Sequence, residues 1–396
     1  MKYLQIIQKS FSSFTILILI VSFMLLLQQI PIITEGSSLH LITKMTDVVI
    51  NYISLFVVVS ISYMTINFYN KARDEEIASI SVIVLSLISF LIMIPTETTY
   101  NINSESINFV LSIEFFGFKG IFSALLISII SVEIYRYFMK VNFTIKMPNN
   151  ISPMVLQVFM DMIPTFVVIV FWWLIHYIIG VDLFNLSIDV FHFLIKASDN
   201  LLVVALIPLL NRGLWSLGIH GGSIVDSLTS IMLMTMNIAN QAAFRISETL
   251  PYIASGVFYD SYVWNGLAPV SIALMMTKSK KLKTIGRLSL IPAIFNIGEP
   301  LMFGLPIVLN PILTVPFILS YVILSIVAYL LCFFKVLAIP YLMIPWTIPA
   351  PIKAYLSSGG EISSLVWGIV SWIIVFLVFY PFIKVMEKGD NKVVAD

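Results

Sequence analysis

One carboxylate and one imidazole stand out in the chain because each is set in apolar sequence that resists a straight helix. Glu299 lies in FNIGEPLMFGLPIVLNP. There Pro300, Pro306 and Pro311, with Gly298 and Gly304, forbid an uninterrupted helix. An acid at the centre of a bilayer costs about 2.5–3.5 kcal/mol even on the mildest scale, so its retention points to work on a solute. A carboxylate accepts two hydrogen bonds at once, which suits a pair of vicinal hydroxyls. The competing role is a structural acid that pins the turn by accepting backbone N–H bonds. His220 lies in LWSLGIHGGS, between Gly218 and Gly221–Gly222, and glycines let a ligand or another segment come close. Neutral imidazole brings one donor and one acceptor. Its simpler alternative is a histidine satisfied at a helix end.

Two tryptophans accompany this pair. Trp215 stands five residues before His220, and Trp346 sits in the proline-bracketed PWTIP. Their flat faces suit either the interfacial aromatic belt or stacking on the C–H faces of sugar rings. Asn240 and Asn310 border the two segments, where an amide can cap a broken helix or bond a ligand. Capping is the expectation for Asn310. Glu133 and Arg136, three apart in SVEIYR, are expected to form a local ion pair, and His176 in FWWLIHYII to pack within the bundle.

Other chemistry is missing from the pattern. There is no GxxxxGK[ST], no arginine ladder and no TVGYG-like filter. The four histidines (His40, His176, His192, His220) show no metal-ligand spacing, and Cys332 is the single cysteine. Neither a metal site, a cofactor nor an intramolecular disulfide is expected. A net charge of +1 gives no sign of nucleic acid binding.

The elements that position these residues follow from composition. Of 396 residues, 59% are hydrophobic and 11% charged, more apolar surface than a soluble chain can hide. An all-α polytopic membrane protein is expected, with about ten transmembrane helices, since a span needs roughly 20 apolar residues. Spans are read at 12–33, 48–69, 77–95, 119–139 and 161–181, then at 200–218, 262–277, 309–334 and 363–383. The first lacks a small-residue cleavage site and reads as a retained span. Residues 182–200, with Asp189, His192, Lys196 and Asp199 at helical spacing, read as an amphipathic helix along the interface. Segments 222–244, rich in polar residues, and 288–308, carrying Glu299, read as two re-entrant or broken hairpins. Irregular backbone at membrane depth is tolerated only where it is buried in protein or lines a wet cavity. Most Lys and Arg residues fall on one side if both termini are cytoplasmic, including the Lys278–Arg287 cluster and Lys384, Lys388 and Lys392. Lys353 then falls outside, and Arg212 and Arg245 in an ambiguous middle.

GIHG, NIGEPLMFGLPIVLNP, PWTIP, SSGGE and the closing YPFIKVMEK together resemble the membrane-spanning IIC subunit of a bacterial sugar phosphotransferase system. KGIFSALLISIISVEIYRYF and TIKMP resemble the lactose/cellobiose/diacetylchitobiose branch in particular. The resemblance runs from about residue 50 to 388 and is strongest over 278–350. It implies a two-domain homodimer in the bacterial plasma membrane. Residues 1–181 would be the scaffold and dimer contact, 182–200 the linker, 201–388 the sugar-binding block, and 389–396 a cytosolic tail. It implies a β-linked disaccharide as solute, held by Glu299, His220, Trp215 and Trp346, with Asn240 and Gly298 alongside. The block would move as a rigid unit, and a separate cytosolic IIB, recharged by IIA, would phosphorylate the sugar. IIC itself would not be the enzyme. The sequence departs from the family pattern at Gly298, where many relatives carry Asn, and at WNGLAP, SPMVLQVF and GGEIS. From the residues alone, two other readings stand beside this one. They are a proton-coupled sugar symporter with Glu299 as carrier, and a non-transporting sensor or bacteriocin receptor.

Overall fold

The structure is a computed structural model. It describes residues 2–13, 15–28, 37–73, 77, 79–97, 100–102, 105–107, 110–111, 113–145, 152–187, 189, 198–305, 307 and 310–393. The chain divides into two compact units, and the division is not contiguous. One unit comprises Met1–Ile16 with Asp47–Leu194, the other Leu17–Thr46 with Ile195–Asp396. Among the described residues, six stretches are long and apolar enough to cross a membrane: Gln5–Leu27, Ile53–Lys71, Phe118–Lys140, Val155–Ile178, Pro311–Phe333 and Ile362–Lys388. Ile80–Met93 and Leu201–Ser216 are shorter apolar helices.

The opening helices are α1 (Lys2–Ser13), α2 (Thr15–Leu27) and α3 (Ser37–Asn51). The first unit's bundle continues with α4 (Ile53–Arg73), α5 (Ser79–Met93), α6 (Ile121–Lys140) and α7 (Pro153–Trp173). Helix α4 packs on α1, α5 and α6, and α7 on α5 and α6. Small residues carry these contacts, as expected where lipid offers no hydrophobic drive between helices. Ser54, Ser62, Ser86, Ser89, Ser123, Ser128 and Ser131 are all buried. Polar bonds add to them. Trp172 Nε1 donates to Ser131 Oγ at 2.8 Å, and the Tyr135 hydroxyl donates to Asp161. Glu133 accepts from the Tyr3 and Tyr69 hydroxyls and meets Arg136 at 3.4 Å, the local ion pair expected there. Between α5 and α6 the chain leaves helix for two short antiparallel ladders, 96–97 with 110–111 and 100–102 with 105–107. The all-helical reading did not foresee them. His192 and Lys196, polar positions of the expected interfacial helix, lie outside the described residues, while 183–187 is helical.

The second unit continues with α8 (Leu201–Ser216) and α9 (Gly221–Arg245). Asn200 caps α8, its side chain accepting from Leu202 N and Val203 N at 3.0 and 3.2 Å. Next to it, Asp199 accepts from Ile253 N and Ala254 N at 3.1 and 2.8 Å. Burial pushes the Asp199 carboxyl above its ordinary range, and these two N–H bonds pull the other way. After a short helical turn over 256–263 come α10 (Ala268–Met275), α11 (Lys280–Ile294), α12 (Glu299–Gly304) and α13 (Pro311–Phe333). The chain ends in α14 (Ala350–Ser357) and α15 (Ile362–Val393). Helix α13 packs on α8 and α15, and α10 on α11 and α15. Phe258, Tyr262, Phe317, Tyr321, Leu324 and Phe379 are among the buried side chains of this core.

The expected break over 222–244 is corrected: α9 runs unbroken for 25 residues. Asn237 and Gln241 find distant partners without bending the backbone. Asn237 Oδ1 accepts from Val257 N at 2.9 Å. Gln241 Nε2 donates to Ser22 Oγ at 2.9 Å and to Tyr341 O at 3.1 Å. The break over 288–308 is present. Helix α11 stops at Ile294, Asn296 adopts φ +62°, and the six-residue α12 begins at Glu299.

Candidate functional site

A cleft of about 160 Å³ opens within the second unit. The interruption between α11 and α12 builds one wall. Asn296 tolerates the left-handed backbone, and its amide Nδ2 donates to Trp346 O at 2.7 Å and to Ile348 O at 2.8 Å. The turn is thereby tied to the PWTIP loop. Gly266 makes the junction possible: its φ is +66°, and a Cβ there would lie 2.6 Å from Asn296 Oδ1. Gly298 caps α12, and Pro300 occupies its first turn, where no N–H is missed. The proline therefore starts this helix rather than breaking one.

Glu299, Gly298, Trp215 and Trp346 all line this cleft. Glu299 is exposed to it and has no hydrogen-bond or ion-pair partner among the described residues. The competing role of a structural acid pinning the turn through backbone N–H groups has no contact to support it. Trp346 keeps 57% of its surface exposed. Trp215 projects from the last turn of α8, one turn on from Arg212.

His220 does not line the cleft and reaches it through Trp215. The two rings lie 4.4 Å apart between centroids, at 51°. His220 also caps α9, with Nδ1 accepting from Ser223 N at 3.1 Å. His220 therefore bears on the cleft through the Trp215 ring and does not line it beside Glu299. Asn240 does not join the site. It is fully buried, its Nδ2 donates to Tyr252 O at 2.8 Å and its Oδ1 accepts from Tyr252 N at 3.1 Å. Both ends of the amide hold the backbone, and Asn240 does not line the cleft. Asn310 caps α13 as expected, accepting from Ile312 N at 3.0 Å.

Sequence reasoning missed four polar or charged members of the lining: Arg212, Asp260, Asn296 and Lys353. Lys353 is 1% exposed, and its Nζ lies 3.3 Å from Asp260 Oδ1. It lies within α14. Arg212 lies over the rings of Tyr321, Trp264 and Phe317, at 4.0, 4.6 and 5.3 Å from their centroids. The available signal was a cation inside the apolar run LIPLLNRGLWSLG.

Taken together, a multi-pass helical membrane protein carries an aromatic-walled polar cleft with a free carboxylate. The chain belongs to the phosphotransferase system EIIC family, whose model matches residues 8–320. It is 31% identical over 358 residues to the putative permease IIC component YwbA of Bacillus subtilis (strain 168), covering 82% of this chain and 79% of that one. It is 30% identical over 339 residues to the PTS system cellobiose-specific EIIC component of Geobacillus stearothermophilus, covering 81% and 75%. Among solved structures it resembles the crystal structure of the transporter ChbC, the IIC component from the N,N'-diacetylchitobiose-specific phosphotransferase system. The TM-score is 0.87 at 28% identity, over 98% of this chain and 94% of that one. An EIIC chain is the membrane translocation component of its system and works with IIB and IIA; phosphoryl transfer belongs to IIB.

Proposed function

We propose that this chain translocates a β-linked disaccharide of the cellobiose, chitobiose or lactose kind, which a partner IIB phosphorylates on the cytosolic side. The observation that carries the reading is the unpartnered Glu299 carboxylate facing a cleft whose walls include Trp215 and Trp346. Glu299 accepts from two sugar hydroxyls, and the indoles cover ring faces. His220 sets the angle of Trp215 and offers Nε2 at the rim. The cleft moves with the second unit's helices in an elevator-type step, with the interruption before α12 serving as a re-entrant segment. The first unit forms a homodimer contact, and both termini lie in the cytoplasm. On the cytosolic side the phosphocysteine of IIB gives its phosphoryl group to a sugar hydroxyl. The thiolate leaves and the hydroxyl proton is released. The dianionic product then avoids Glu299 and cannot leave through the bilayer. The relatives named for cellobiose and N,N'-diacetylchitobiose support this solute class.

The test is binding of cellobiose, N,N'-diacetylchitobiose and lactose to the purified chain, followed by uptake into proteoliposomes with a cognate IIA/IIB pair. Binding in the micromolar range and accumulation of sugar phosphate are expected. Uptake that persists without IIB and collapses with an uncoupler would transfer the function to ion-coupled symport.

A further inference from the structure

A neutral sugar leaves one charge in the cleft unexplained. Arg212 sits on α8 among apolar neighbours, and burying a cation without a partner is strongly unfavourable. Its guanidinium is held between Tyr321, Trp264 and Phe317. Those rings attract the cation by their faces but take none of its in-plane N–H bonds. Its Nε is buried without a hydrogen-bond partner. Neither carboxylate of the cleft neutralises it: Asp260 is paired with Lys353, and Glu299 is unpaired. Asp226 acts on it through charge alone, with no ion pair between the two among the described residues. A guanidinium held by aromatic faces keeps its donor edge in one plane, the geometry that matches a carboxylate with two parallel hydrogen bonds.

We propose that the cleft takes an acidic β-linked disaccharide, one whose rings include a hexuronate. Arg212 holds the uronate carboxylate, and Glu299 accepts from the hydroxyls of the other ring. The inference rests on the cleft being the sugar site and narrows its substrate class. In this arrangement the ligand supplies the anion that Arg212 lacks, while the Lys353–Asp260 pair stays intact. It also places Arg212 among the specificity-determining residues.

Isothermal titration of the purified full-length chain with cellobiose and with cellobiouronic acid tests it. The acid is expected to bind about tenfold to a hundredfold more tightly than cellobiose, the size of one charged hydrogen-bonded contact. Measuring this as a ratio within each variant removes general effects on folding or affinity. Arg212→Met is expected to abolish the preference. Arg212→Lys, which keeps the charge and loses the planar fork, should retain only part of it. Equal or weaker binding of the acid in the native chain overturns the proposal while leaving the sugar site standing. A ratio that survives both substitutions overturns it too. Binding of neither sugar brings down the site reading along with it.

Discussion

At the scale of single residues, charge in the cleft is arranged asymmetrically, and substitutions should reveal that. Glu299→Gln keeps the shape of the side chain but removes a charged acceptor. Sugar affinity should fall about tenfold to a hundredfold, corresponding to roughly 1.5–3 kcal/mol. Unchanged affinity in calorimetry would place Glu299 outside the contact. The Lys353–Asp260 pair predicts a lopsided stability effect, because Lys353 is 1% exposed and Asp260 32%. Asp260→Asn strands a buried ammonium and should cost about 3 kcal/mol or more. Lys353→Met leaves a carboxylate that water can reach and should cost less. Thermal unfolding in detergent compares the two, and the double variant should recover part of the Asp260→Asn loss. Glu299 was legible in sequence because a lone acid in an apolar, kinked run is costly wherever it sits. Arg212 and Lys353 were not, because the groups that stabilise them lie far along the chain. For Arg212 these are residues 264, 317 and 321, and for Lys353 residue 260.

At the scale of elements, the site depends on one junction between the turn before α12 and the loop before α10. Gly266→Ala forces a side chain into backbone with φ +66° and drives Cβ to 2.6 Å from Asn296 Oδ1. It should destabilise the chain by more than about 1 kcal/mol and, by moving α12, weaken sugar binding at least tenfold. Native-like binding would show that Asn296 can shift without moving Glu299. The prolines and glycines around Glu299 correctly announced a helix interruption. What they did not show is that Asn296 makes the turn and Pro300 begins the next helix. The polar run over 222–244 misled for a related reason. In sequence, Asn237, Asn240 and Gln241 look like backbone-breaking groups. In the fold each bonds a distant atom, from Val257, Tyr252 and Tyr341 respectively, although Gln241 Oε1 has no partner among the described residues. Periodicity reports which face of a helix is polar, but not where its partners stand.

At the scale of the whole molecule, the second unit gathers residues 17–46 to residues 195–396. A contiguous reading of domains could not anticipate that, since hydropathy locates spans and says nothing of which spans pack together. Ser22 is the buried polar knot of this union. Its Oγ accepts from Gln241 Nε2 at 2.9 Å and from Met343 N at 2.8 Å, and donates to Ile18 O at 2.9 Å. Ser22→Val leaves Met343 N without its acceptor and Gln241 Nε2 with Tyr341 O alone, and should cost about 1–3 kcal/mol. The measurement is the melting temperature of the detergent-solubilised protein. A shift no larger than that of an exposed-site control such as Leu288→Ala would show that the knot contributes nothing. The same knot constrains biosynthesis. The stretch bearing Ser22 leaves the ribosome early, whereas Met343 emerges only after more than three hundred further residues have been added. Until then Ser22 Oγ lacks that donor, so a ribosome stalled before that point yields a product whose second unit is without this closing bond.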